Sequence, residues 1–380
     1  MHARRLLVLP LALLAASAAT AQPTHNDVVY ATVGTGSLRM DIYRPPNQQP
    51  HAPCMLFIHG GGWSGGTHDA VPVGLQSLLQ NGFVVASIGY RLTSQEGQFG
   101  PGVPVTFPAQ IHDVKGAVRY LRAHAFDYGV DPARFACWGT SAGGHLSALL
   151  ATSGGVGAAE GVTGGNAGYS SRVQAAVDYF GPIDLLQMNP DVTTPPGSTI
   201  DHDAPNSPES RLLGWDEPGQ GVGDIRNNIG NPNPPYPMLL GLAALCSPAV
   251  HVDPADPPIY IAHGLDDTSV PSGQSVRLGA ALAGAGVEHT LRLVPGAGHG
   301  FLGAETNNQA LAFIVDALSP CPGDIDGDRE VGFPDLNAVL GDFGLASAPG
   351  ASRPGDADGD GVVGFADLNL VLSAYGFSCR

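Results

Sequence analysis

Charge is scarce in this sequence of 380 residues. Only 13% of side chains are charged, and 17 basic groups face 34 acidic ones. A net charge of −17 repels polyanions, which argues against nucleic acid as a partner. Long apolar runs are also lacking. The one candidate, residues 6–16, is interrupted by Pro10 and falls short of the roughly 20 residues a bilayer span needs. Arg4 and Arg5 precede this run and Ala19-Thr20-Ala21 follows it, which is the pattern of an export signal cleaved before Gln22. Removing residues 1–21 takes two positive charges from −17 and leaves the mature chain at −19.

Cysteines number five. Cys54, Cys137 and Cys246 fall in the body of the chain, and Cys137, inside an apolar run, is expected as a buried thiol. Cys321 and Cys379 bracket the last sixty residues. An exported chain can keep a disulfide between them, which would clasp the two ends of that segment.

Glycine and proline are plentiful, at 53 and 33, so many loops are expected. Hydrophobic residues, at 43%, suffice for a solid core. The length suits one large α/β domain with a small extra module. Short apolar runs at 55–58, 83–88, 135–138, 173–180, 259–262 and 291–294 read as strands. Helical segments alternate with them. Residues 74–81 form one, ended by Gly82, and residues 113–124 another, with Val114, Ala117, Val118 and Leu121 on one face. His145–Thr152 is a third. This alternation predicts right-handed crossovers and a mostly parallel central sheet flanked by helices. Residues 185–257 break the rhythm with Pro, Asn, Gly and Asp, and read as a cap or substrate-loop excursion.

The strand ends carry the chemistry. The run 135–138 leads into Gly139-Thr-Ser-Ala-Gly143 and then a helix. A turn this sharp leaves no room for side chains at 139 and 143, and it lifts the Ser141 hydroxyl out in a strained conformation. The following helix points its N-terminus at the reacting carbonyl, which favours developing negative charge. His59-Gly-Gly-Gly-Trp63 follows another strand. Its glycines let backbone N–H groups approach a substrate, so Gly61 and Gly62, with the Ala142 amide, form the expected oxyanion hole. A serine hydroxyl needs a base, and the base needs an orienting acceptor. Asp266 and Asp267 follow the 259–262 strand, and His299 sits in a Gly-rich loop after the last strand. The chain order of serine, acid and histidine is the one used by α/β-hydrolases. His145 reads as a structural histidine turned away from Ser141. His263 reads as a residue that holds its strand end through backbone contacts.

With these motifs in place, the chain resembles the bacterial feruloyl/acetylxylan esterase-like branch of the α/β-hydrolases, close to the hormone-sensitive-lipase group. His59-Gly-Gly-Gly-Trp63, Tyr90-Arg91-Leu92, Phe107-Pro-Ala-Gln-Ile-His-Asp113, Gly139–Leu146, Ser207–Gly214 and His263-Gly-Leu-Asp-Asp-Thr-Ser-Val-Pro271 carry the resemblance, over about 28–318. In that family's HGxxDxxVP pattern the acid is the fifth residue, which here is Asp267 rather than Asp266. The resemblance implies cofactor-free ester hydrolysis through an acyl-enzyme, with plant cell-wall esters as substrates. Two rivals use the same residues differently. One is an arylformamidase-like amide hydrolase, and the other is a catalytically inert hydrolase body that serves only to bind.

The last sixty residues hold ten acidic side chains and three arginines, a net −7, and a repeat at a spacing of 32. Gly323–Asn337 recurs as Gly355–Asn369. Calcium takes six or more oxygens from closely spaced carboxylates and carbonyls. The first loop offers Asp324, Asp326, Asp328, the Glu330 carbonyl and Asp335. The second offers Asp356, Asp358, Asp360, the Val362 carbonyl and Asp367. A helix with an apolar stripe should follow each loop, through Phe333, Leu336, Leu340 and Phe343, and through Phe365, Leu368, Leu372 and Tyr375. The repeat resembles a dockerin over 321–379, which implies two structural calcium ions and a cohesin-type protein partner. Two departures stand out. Arg329 occupies the turn position that Gly361 fills in the second loop, and an arginine in left-handed backbone costs roughly 1–2 kcal/mol. Phe333-Pro334 and Phe365-Ala366 replace the polar pair usual at the partner-reading positions. The expected organisation is thus an export signal over 1–21, an α/β-hydrolase domain over 22–319, and a small all-α dockerin-like module over 320–380.

Overall fold

Eight strands form one sheet in the order β1-β2-β4-β3-β5-β6-β7-β8. The structure is a computed structural model, and it describes residues 21–47, 51–69, 71–102, 104–193, 195–319, 322–326, 330–346, 353–357 and 361–377. The strands are β1 His25–Val33, β2 Gly36–Tyr43, β3 Ala52–Ile58, β4 Val84–Ile88, β5 Val130–Thr140, β6 Ala175–Tyr179, β7 Ile259–Gly264 and β8 His289–Val294. From β4 onward every pairing is parallel, while β1 with β2 and β2 with β4 are antiparallel. The proposed export signal, over residues 1–21, lies outside the described residues but for Ala21.

The central strands are apolar throughout because both faces are covered. On β3, Cys54, Leu56 and Ile58 enter one core and Met55 and Phe57 the other. On β5, Phe135 and Cys137 join the first core, and Ala136 and Trp138 the second. The helices that supply these cores are α1 Val73–Gln80, α2 Ala109–Ala123, α3 Ala142–Thr152, α4 Tyr236–Cys246, α5 Gly273–Ala285 and α6 Ala304–Ala317. Helices α2 and α3 pack on the first face through Ile111, Val114, Val118, Leu146 and Leu149. Helices α1 and α6 cover the second through Leu75, Leu78, Ala310 and Ile314. Cys54, Cys137 and Cys246 are all buried free thiols, and burial pushes Cys54 and Cys137 up to about 12. Cys321 and Cys379, the expected disulfide, lie outside the described residues.

Three differences from the sequence reading have physical reasons. The strands β1 and β2 went unread because their burial alternates irregularly and charged or polar residues interrupt them, Asp41 even at a buried position. Residues 185–257 are not a bare loop. They hold α4, a 3-10 turn at Leu185–Gln187, and short helices at Pro208–Leu213, Val222–Asn227 and Pro248–His251. Leu239, Ala243 and Cys246 of α4 join the main core. In the tail, helices α7 Phe333–Asp342 and α8 Phe365–Ala374 do form, but much of their expected apolar stripe faces outward. Phe333, Leu340, Phe365 and Leu372 are exposed, and the small core is instead Val331, Val339, Val363 and Val371, with Leu336 and Leu368 packed against it.

One ion pair anchors the helix layer to the sheet. Arg91, just past β4, makes a two-pronged bond to Asp113 of α2, with Nε to Oδ2 at 2.8 Å and Nη2 to Oδ1 at 2.7 Å. Asp113 is fully buried and also accepts from the Arg91 amide and the Thr163 hydroxyl. Asp113→Ala strands the guanidinium without its acceptor. Urea denaturation is expected to show a loss of about 3–5 kcal/mol, the range for breaking one side of a buried pair.

Candidate active site

The backbone at Ser141 has φ 56° and ψ −123°, a conformation that a side chain seldom adopts. Its neighbours explain how it is held. A Cβ at Gly139 would sit 1.9 Å from the Gly143 carbonyl oxygen, and one at Gly143 would sit 2.1 Å from that of Ile58. The start of α3 is therefore pressed onto the ends of β3 and β5, as the two flanking glycines predict. The Ser141 amide donates to the Tyr179 carbonyl on β6 at 2.8 Å, which ties the turn to the sheet on its other side.

The acid and base arrive from later strand ends. His299 Nε2 lies 2.9 Å from Ser141 Oγ, and His299 Nδ1 lies 2.7 Å from Asp267 Oδ2. The second oxygen of Asp267 accepts from the amides of Ser269 and Val270 at 2.8 and 2.9 Å. Burial alone would raise the Asp267 carboxyl. Hydrogen bonds from His263, His299 and the Val270 amide outweigh burial and hold it well below the usual carboxylate range. Asp267 is buried and Asp266 is exposed, so only Asp267 meets the histidine.

The loop expected to hold the oxyanion is built on reversed backbone. Gly61, Gly62 and Trp63 have φ of 113°, 57° and 54°. The Ser64 and Gly65 amides donate to the Gly61 carbonyl and close a tight turn. Among the described residues, the Gly61 and Gly62 amides have no acceptor in the protein. Ala142 opens α3, where the first amides of a helix have no intrahelical acceptor. Pro208 packs over Gly62, so the 185–257 segment stands against this loop.

Two histidines do more than the sequence reading gave them. The Trp63 indole N–H donates to His145 Nδ1 at 3.2 Å, and His145 Nε2 donates to the Cys246 carbonyl at 2.7 Å. His145 is structural, as read, but it bolts the oxyanion loop to α4. His263 touches the Val270 carbonyl and also Asp267 itself, at 3.3 Å from Oδ2. The four-residue spacing from His263 to Asp267 was the available signal. Phe180 was also missed, and its ring lies edge-on to His299 with centroids 4.7 Å apart. A cavity of about 280 Å³ opens beside this ring, lined by Leu75, Trp138, Thr140, Tyr179 and Phe301.

In the tail, Asp324, Asp326 and Asp335 bring one oxygen each within 4.8 Å of one another, which suits a cation. Asp335 is buried and also accepts from the Gly332 amide at 2.7 Å, and Asp367 does the same with Gly364. Asp356 accepts from the Gly361 amide, and Gly361 turns with φ 88°. The Val362 segment pairs with Ala346, and Glu330 precedes Val331, whose amide donates to Phe377. Asp328, Asp358 and Asp360, with Arg329, lie outside the described residues.

A hydroxyl held to an imidazole that is held to a buried carboxylate, on this sheet, defines a serine hydrolase of the α/β-hydrolase class. The chain belongs to the BD-FAE family, whose model matches residues 40–282. Esterase LipQ of Mycobacterium tuberculosis is 30% identical over 85% of this chain and 66% of its own. A truncated carbohydrate esterase from gut microbiota superposes with a TM-score of 0.63 at 29% identity, over 80% of this chain and 99% of that one. Est2 of Thermogutta terrifontis, solved with propionate bound, gives 0.56 at 25% identity, over 77% and 95%. The chain spans 66% of the length of LipQ, 49% of the carboxylic ester hydrolase LipM and 34% of the carboxylesterase NlhH, all of Mycobacterium tuberculosis. These relatives are named as esterases and carboxylesterases, consistent with a serine carboxylic-ester hydrolase.

Burial pushes His145 down to about 4 from an ordinary 6.5. Its folded form therefore resists protonation more than its unfolded form does. The stability it contributes is complete above pH 6.5 and is lost as the pH falls toward 4. Wild-type melting temperature should drop across that window, and His145→Gln should flatten the drop. The difference corresponds to about 3 kcal/mol at full protonation.

Proposed function

We propose that this chain is an exported serine carboxylic-ester hydrolase that acts on carbohydrate-linked or plant cell-wall esters. The observation that carries the reading is the unbroken relay from Ser141 through His299 to Asp267, at 2.9 and 2.7 Å. His299 takes the Ser141 proton as Oγ attacks the ester carbonyl. The ionised Asp267 fixes the tautomer of His299 and stabilises its imidazolium. The oxyanion rests on the amides of Gly61, Gly62 and Ala142, each donor worth about 3–4 kcal/mol of barrier. His299 then protonates the departing alcohol, and water repeats the cycle on the acyl-enzyme. No step calls for a metal or cofactor.

The acyl side is supported by the cavity beside Phe180. At about 280 Å³ it has room for more than a two-carbon acyl group, and Trp138, Tyr179, Phe180 and Phe301 give it aromatic faces. A planar aromatic acyl group, such as feruloyl, suits it better than acetyl. The carbohydrate side is supported by the gut-microbiota relative, whose name states a carbohydrate ester role. Wild type should hydrolyse p-nitrophenyl acetate, acetylated xylan and methyl ferulate, and with p-nitrophenol as the common leaving group the feruloyl ester should exceed the acetyl ester in kcat/KM, while N-formyl anilides lag. Faster cleavage of the anilide would make the chain a formamidase. Ser141→Ala should keep the fold, lose turnover, and escape labelling by a fluorophosphonate probe. Wild-type protein that stays unlabelled would be a binding module rather than an enzyme.

The C-terminal repeat is read as a dockerin-like module with two calcium ions and a cohesin-type partner. The convergence of Asp324, Asp326 and Asp335 supports an ion in the first loop, and the turn at Gly361 supports the second. Phe333 and Phe365, at 63% and 73% exposure, occupy equivalent places on the two helices and suit a docked partner. EDTA is expected to lower the melting temperature of the tail and abolish partner binding. Ester hydrolysis should stay within about twofold, because no described tail residue enters the site.

A further inference from the structure

Asp267 is the acceptor in the relay, and four donor groups gather around its two oxygens. Oδ1 receives the Ser269 and Val270 amides. Oδ2 receives His299 Nδ1, and the fourth neighbour is His263, from the end of β7. His263 is completely buried and touches no part of Ser141 or His299 in the hydrogen-bond network.

Its tautomer follows from its neighbours. His263 Nε2 faces the Val270 carbonyl at 2.9 Å and Asp267 Oδ2 at 3.3 Å, and both can only accept. Nε2 therefore carries the hydrogen and shares it between them. His263 Nδ1 lies 2.7 Å from the Ser275 hydroxyl on α5, which supplies its hydrogen to that nitrogen. The ring is thereby fixed with its N–H toward the carboxylate. The other groups around it are the Phe180 ring, edge-on at 6.4 Å, and the charge of Asp178 on β6. Burial raises the Asp178 carboxyl to about 6, and that residue is engaged by the Gly181 amide.

We infer that His263 is a positioning residue for the catalytic base. Its Nε2–H clamps Asp267 Oδ2 so that the carboxylate cannot rotate away from His299, and it withdraws charge from the oxygen that His299 uses. Ser275 acts one step further out by locking the His263 tautomer. The chain of contacts is Ser275, His263, Asp267, His299 and Ser141. The low-lying carboxyl of Asp267, with His263 the first of the groups opposing burial, agrees with this geometry.

The clamp has a signature that simple packing lacks. A carboxylate that loses a donor becomes more basic and holds the proton of His299 more tightly. The acid limb of the kcat/KM profile then moves to higher pH. His263→Phe keeps a buried ring and removes the donor. His263→Gln places an amide N–H near the same point. On p-nitrophenyl acetate, His263→Phe should lose about tenfold to a hundredfold in kcat, the range for one hydrogen bond to a charged group. KM should stay within about twofold, since the residue meets no substrate. The acid limb should rise by at least half a pH unit, and His263→Gln should restore it. Ser275→Ala is the second variant, for use should His263→Phe fail to fold, and it should move the limb the same way by less. An unmoved acid limb in folded His263→Phe, or in Ser275→Ala where that variant alone folds, overturns the clamp. So does a limb that His263→Gln leaves displaced. The model ester makes the result independent of the polysaccharide reading, which the substrate panel tests separately.

Discussion

The close approach of α3 to the sheet is the constraint on which the rest of this structure depends. The Ser141 backbone sits in a region that costs of order 1–3 kcal/mol, and only the surrounding packing holds it there. That packing is backbone against backbone. Gly139 faces Gly143, and Gly143 faces Ile58 and His59, at distances no Cβ could share. Behind them, a Cβ on Gly144 would meet Asp178 and the Tyr179 carbonyl, so the third glycine of the run is as necessary as the first two. The cores on both faces of β3 and β5 keep these strand ends from relaxing. The nucleophile is thus presented by a packing arrangement, and its chemistry can be no better ordered than the sheet beneath it.

Electrostatics then separates the polar groups at the strand ends. Asp267 is buried yet ionised, because four donors reach it. Asp178 is buried one strand away with a single amide donor recorded for one oxygen, and burial pushes it up to about 6. The same residue type, a few ångströms into the same fold, takes opposite protonation tendencies according to how many donors it meets. The histidines divide likewise. His145 is sealed between an indole and a carbonyl and pushed toward neutrality, whereas His299 keeps a partly open face toward solvent and the substrate.

Much of this was legible from local chemistry. The elbow, the glycine-rich oxyanion loop and the His299 loop each follow a strand, and strand ends are where open α/β sheets gather ligands. Between Asp266 and Asp267 local chemistry was silent. The family pattern favoured Asp267, and the fold shows why: the turn buries Asp267 on the amides of 269 and 270 and leaves Asp266 in solvent. The roles of Trp63, His145 and Phe180 were not legible, because each is defined by a partner 80 or more residues away. The helices of 185–257 were hidden for another reason. Most are short, with proline opening two of them, and α4, though 11 residues long, is apolar nearly all round, so no window displays a period.

The tail shows how a true repeat can mislead a pattern reading. An apolar stripe at helical spacing was read on each helix, yet the inward positions go mainly to valines that the stripe omitted. The cause is the pairing between the halves. Val331, before α7, exchanges backbone bonds with Gly376 and Phe377 after α8, and Val363, before α8, does so with Gly344 and Leu345 after α7. Each pair is the other moved by the 32-residue repeat. Neither half can satisfy these amides and carbonyls alone, so the core lies on the axis between the halves, and the bulky phenylalanines fall on the outside. A unit of this size has too little interior to bury eight large side chains in any case. The outward stripe is therefore a consequence of duplication, and it would be present on this module whatever it binds.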